Sequence, residues 1–144
     1  MDKIMDKYVF RNIEDAPHYP VANCENGAGT IDNITLFGDE AKMPVPGPRN
    51  PESNENFHYV HKTTLPVGGS VGEHPHTGNE QFYLILEGQG EVTLCGRVFP
   101  VKPYSLALIR DGGSHGIRNT GDVPLVYLCV ETGLTGVHST SSEA

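Results

Sequence analysis

The chain has 144 residues, enough for one domain with an ordinary core. Its formal charge of −8, from 10 Lys and Arg against 18 Asp and Glu, argues against nucleic acid, whose phosphates need a basic footprint, and against an anionic membrane surface. Glycine (17) and proline (11) are plentiful, tryptophan is absent and only 37% of residues are hydrophobic, a profile of short strands and many turns.

The opening ten residues carry no long apolar run, so neither a signal peptide nor a membrane span is expected. Cys24, Cys95 and Cys129 are odd in number and far apart, which speaks against a disulfide framework and makes a reducing cytoplasm the default. Between Tyr8 and Asn23 there is no clear period, and Pro17 and Pro20 argue against a helix; Tyr8-Val9-Phe10 is a strand-like patch. Thr30 to Phe37 alternates as a strand, closed by Gly38. Residues 39–56 hold four prolines and a polar run. A loop of that length is uncommon in a compact domain and reads as a solvated excursion or a lid. From Phe57 the strands come quickly: Phe57 to Leu65, Ser70 to His76, Gln81 to Glu87, Glu91 to Leu94, Val98 to Val101, Leu106 to Arg110, His115 to Asn119 and Leu125 to Glu131. Glycine-rich turns separate most of them. No helical period exceeds a turn or two, and the tail is small and polar. The expected class is all-β, a closed or double-sheet architecture.

His74 and His76 stand one residue apart, so on a strand both imidazoles point to one face. His115 lies downstream beside a glycine turn, and three imidazoles suit zinc, copper, iron or nickel. The stretch from Gly69 to Gly88, with His74, His76 and Gln81, resembles the first motif of the cupin family. The stretch from Ile109 to Asn119, with His115 and Asn119, is similar to the second. The resemblance covers about Leu65 to Val130 and implies a double-stranded β-helix, a jelly-roll barrel with a divalent transition metal (Zn, Ni, Fe, Mn or Cu) in its mouth. It divides the chain into an N-terminal arm with the first strand or strands (1–35), the barrel (36–132) and a polar tail (133–144). Small members of the family commonly pair, so a homodimer is expected, with the arm at the interface.

The resemblance carries His74, His76 and His115 over as ligands. The family's fourth ligand is a glutamate seven positions before the closing glycine, and counting back from Gly88 gives Gln81. An amide oxygen is neutral, so such a site leaves the metal's charge uncompensated, favours an anionic ligand and holds manganese less well than a carboxylate would. A bulge near Thr77–Glu80 would instead bring Glu80 inward, and this alternative stays open. Three residues are candidate catalytic groups: Glu80 if it is not a ligand, Tyr83, which shares Gln81's face, and His61 on the preceding strand. Arg110 and Arg118 flank His115 and read as surface ion pairs or as partners for a carboxylate. Two functions fit these residues. One is a metal-dependent enzyme (isomerase, lyase, decarboxylase or dioxygenase type) acting on a small polar or anionic molecule; the other is a module that binds a sugar or small acid without turning it over. A structural domain with a vestigial site is the bland third reading.

Overall fold

The computed structural model describes residues 7–39 and 56–134. Residues 40–55 of the proline-rich loop, the tail from residue 135 with His138, and the first six residues lie outside them. Ten strands follow in order: β1 (His18–Ala22), β2 (Thr30–Gly38), β3 (Phe57–Leu65), β4 (Ser70–Pro75), β5 (Asn79–Glu87), β6 (Gly90–Leu94), β7 (Arg97–Val101), β8 (Leu106–Ile109), β9 (Ser114–Asn119) and β10 (Leu125–Gly133). Two antiparallel sheets result, a six-stranded one ordered β1-β2-β3-β10-β5-β8 and a four-stranded one ordered β4-β9-β6-β7. This is the jelly-roll expected from the sequence. Among the described residues no helix is long and apolar enough to cross a membrane.

Alternation fills the space between the sheets. On β10, Leu125, Tyr127, Cys129 and Glu131 point inward, and register places partners beside each. Thr63 and Ile85 flank Tyr127, His61 and Tyr83 flank Cys129, and Tyr59 and Gln81 flank Glu131. The rows therefore run from an apolar closed end to a polar mouth. Leu65, Leu125, Ile85, Val92 and Ile117 are at most 2% exposed and anchor the closed end, each contributing about 1.5–3 kcal/mol by burial. Asn119 secures that end, its amide donating to Leu65 O, Pro66 O and Val123 O while its Oδ1 accepts from the Gly121 N–H.

Two differences from the sequence reading lie in the N-terminal segment. His18–Ala22, which shows no period in sequence, is the edge strand β1. Pro20 is tolerated there because an edge strand leaves alternate N–H positions unpaired. The Tyr8–Phe10 patch forms no strand and is exposed. At the β5–β8 end the outer face of the six-stranded sheet is apolar: Phe82, Leu84 and Leu86 are half-buried, Leu108 is 39% exposed and Leu106 60%.

Candidate metal centre

Three elements deliver the histidines. On β4 an extra residue between Val71 and His74 breaks the pairing with β9. This bulge changes the strand's phase, so Val71 and His74 both line the interior although they are an odd number apart. Gly72 lies within the bulge because a Cβ there would sit 1.9 Å from the Glu25 carbonyl oxygen. His76 lies just past β4, held by its N–H to Gly113 O and by its own carbonyl to the Gly112 N–H. Gly112 takes φ +88°, which an L side chain rarely adopts, so the Asp111-Gly-Gly113 turn forms without the usual proline. His115 is directly opposite His74 across the β4–β9 ladder.

The ligating nitrogens of His74, His76 and His115 all lie within 4.8 Å of one another. His74 Nδ1 is 2.7 Å from Gly72 O, and His76 Nδ1 is 2.6 Å from Asn79 Oδ1. Carbonyl oxygens only accept, so both rings carry their proton on Nδ1 and keep a lone pair on Nε2. His76 Nε2 faces His115 Nε2 at 2.9 Å. Two such nitrogens need a proton or a cation between them, and nitrogens sharing one ion at about 2.1 Å sit roughly 3 Å apart. Burial, and then His76 and His74, push the His115 pKa down to about 2, while burial lowers that of His76, so both imidazoles are held neutral, as ligands must be. The donor set therefore fits a divalent transition metal.

Gln81 is 4% exposed and lines the same cavity of about 390 Å³. Pairing of β5 with β10 is unbroken from Asn79 to Ile85, so no bulge brings Glu80 in. Glu80 is half-buried on the opposite face, outside the cavity lining, which removes the geometric basis for its acid–base role. Tyr83 is inside, its hydroxyl 3.2 Å from His115 Nε2 and its ring stacked on that imidazole at 4.6 Å. Burial raises its pKa well above the phenol value, so it acts as a neutral hydroxyl. His61 also lines the cavity; burial lowers its pKa to about 4, and its Nε2 has no hydrogen-bond partner among the described residues. Arg118 turns outward and pairs with Glu91 at 2.6 Å, and Arg110 is exposed.

One group at the mouth escapes sequence reasoning. Glu131, 6% exposed, accepts from His58 Nδ1 at 2.8 Å, from the Tyr59 hydroxyl at 3.2 Å and from Gln81 Nε2 at 3.2 Å, and lies 3.7 Å from His76 Nδ1. Its alternation phase after Tyr127 and Cys129 is the available signal.

Comparison with known proteins gives the same reading of the fold. The sequence profile of the Cupin domain matches residues 61–131. An oxalate-binding protein of Thermotoga maritima is 30% identical over 122 residues, which is 85% of this chain and 91% of the relative. A crystal structure of a predicted oxalate decarboxylase from Thermotoga maritima superposes with a TM-score of 0.73 at 27% identity, over 88% of this chain and all of the other. An RmlC-like cupin of Shewanella frigidimarina shares the fold alone, with a TM-score of 0.65 at 12% identity over 88% of this chain and 92% of its own.

Proposed function

The chain belongs to the cupin family, and from that premise we propose that it binds a small carboxylic acid of the oxalate class through a divalent transition metal held by His74, His76, His115 and Gln81. The observation that carries this reading is the donor set. Three imidazoles converge, the fourth candidate is a neutral amide, and the cavity lining includes no lysine or arginine among the described residues to take an anion instead. A bound divalent ion supplies the positive charge and Lewis acidity that attract and polarise a carboxylate. The relative's name, oxalate-binding protein, supports the same ligand class. Around that position the chain's own residues have distinct tasks. Asn79 and the Gly72 carbonyl hold the imidazole tautomers, and Tyr83 offers a neutral hydroxyl beside His115.

Oxalate titrated by calorimetry into protein loaded with manganese or zinc is expected to bind, with no heat of binding in metal-stripped protein. A loaded wild type that gives no oxalate signal overturns the reading. Turnover is a second reading, favoured by the His58–Glu131 pair at 2.8 Å, because a carboxylate-oriented imidazole at a cavity wall is an acid–base arrangement. The chemistry is then of a lyase or decarboxylase type, and release of carbon dioxide or formate from oxalate by loaded protein distinguishes it from simple binding.

A homodimer completes the proposal. The apolar outer face of the six-stranded sheet, from Phe82, Leu84 and Leu86 to the exposed Leu106 and Leu108, is the kind of surface that a second copy covers. Light scattering is expected to give twice the 15.6 kDa chain mass. Leu106→Glu with Leu108→Glu is expected to weaken association at least about a hundredfold, since charge cannot be buried there unpaired; a double variant that stays dimeric removes this face from the interface.

A further inference from the structure

We propose that Glu131 is a positioning residue for the fourth metal ligand: it fixes which end of the Gln81 amide faces the metal, and it keeps the site's negative charge one step outside the coordination sphere. The inference rests on the metal reading above and extends it to a residue on the last strand.

Tyr59, Glu131 and Gln81 are direct neighbours across β3, β10 and β5. Gln81 Nε2 donates to the Tyr59 hydroxyl at 2.6 Å and to Glu131 Oε1 at 3.2 Å, and the Tyr59 hydroxyl donates in turn to the same Oε1 at 3.2 Å. Two of the three bonds in this triangle end on the same carboxylate oxygen, and the third runs from the amide to the hydroxyl that donates to it. A flipped amide would set its carbonyl oxygen against that carboxylate and against a hydroxyl already committed as a donor. The flip is therefore excluded by like-dipole repulsion, not by space. Gln81 Oε1 then has no hydrogen-bond partner among the described residues, and the side chain lines the cavity with His74 and His76. It is the atom left to face a cation. His58 Nδ1 at 2.8 Å fixes the other carboxylate oxygen, so Glu131 is held at both ends.

The arrangement explains why glutamine rather than glutamate can occupy position 81. A carboxylate there would stand against the Glu131 carboxylate where the amide now donates across 3.2 Å. In Gln81→Glu alone, the gain in manganese binding from a charged ligand is therefore offset by repulsion from its neighbour.

Exchange of the two side chains tests this. Manganese affinity and stoichiometry are measured by calorimetry for wild type, Glu131→Gln, Gln81→Glu and the double exchange, with thermal unfolding of each metal-stripped protein as the folding control. Glu131→Gln is expected to weaken manganese about tenfold, as loss of an outer partner commonly does, because either end of the Gln81 amide can then pair with the new amide. The double exchange restores polarity, with an amide at position 131 donating to a carboxylate ligand at position 81. It is expected to bind manganese at least about tenfold more tightly than Gln81→Glu alone. Equal affinity of Gln81→Glu and the double exchange overturns the proposal. If wild type itself takes up no manganese, zinc or nickel, the metal reading falls with it, so the two failures are distinguishable.

Discussion

Replacing His115 with alanine is expected to cost on the order of a thousandfold in metal affinity, about 4 kcal/mol, and to leave protein purified without bound metal by elemental analysis. The size of the effect follows from how His115 is held. It is fully buried, its Nε2 lies 2.9 Å from His76 Nε2, and the strand pairing fixes it opposite His74 on the β4–β9 ladder. Two imidazoles and one amide remain, a set too weak to hold a transition ion against water and buffer. The metal-free fold is expected to suffer far less. The substitution opens a void, which destabilises, but it also removes a buried Nδ1 that has no hydrogen-bond partner among the described residues, which does the opposite. The readout is therefore the difference between unfolding midpoints with and without added zinc. Wild type is expected to gain about 3 kcal/mol when zinc is present at about a hundred times its dissociation constant, and His115→Ala to gain almost nothing. A variant that retains a full complement of metal would move the site away from these three rings.

Local signals expose most of this centre. His74 and His76 at strand spacing, the glycine turn before His115 and the count from Gly88 to Gln81 are all short-range patterns, and strand alternation alone decides that Gln81 rather than Glu80 faces inward. The strands themselves are legible from Phe57 onward because turns bound nearly every run. What sequence does not give is assembly across distance. Glu131 acquires its role from His58, Tyr59 and Gln81, which are 50 to 73 residues away, and no spacing rule links them. The bulge in β4 is equally hidden. A strict alternation from Val71 would turn His74 outward, and only the close approach of Gly72 to the Glu25 carbonyl shows why the strand breaks phase there. β1 is concealed for a different reason: Pro20 is a poor strand residue in general, and the edge position that excuses it is a property of the folded sheet.

Metal-stripped protein is expected to lose stability as pH falls from 6.5 toward 4, and His61 to account for much of the loss. Burial lowers the His61 pKa from 6.5 to about 4. Its ring stacks on Tyr59 at 4.4 Å, and its Nε2 has no hydrogen-bond partner among the described residues that would favour a charged form. Between those two pH values the unfolded chain binds a proton at this side chain that the native protein does not. Stability therefore rises with pH across the window: it is complete above 6.5, falls as pH drops through the window, and stops falling on account of this residue below about 4. A shift of that size corresponds to about 3 kcal/mol, a large part of the roughly 5–15 kcal/mol that holds a typical domain together. His115 and His76 shift in the same direction and steepen the dependence further. Urea unfolding at about pH 7.5, 5.5 and 4.5 in the presence of a chelator measures the slope, and the chelator matters because protons and metal compete for the same nitrogens. His61→Gln, which does not titrate, is expected to flatten the curve by about 3 kcal/mol over this range while leaving the contribution of the triad. A slope in His61→Gln equal to that of wild type would mean that His61 takes up its proton in the folded state of the wild type, and the neutral imidazole in the cavity wall would have to be abandoned.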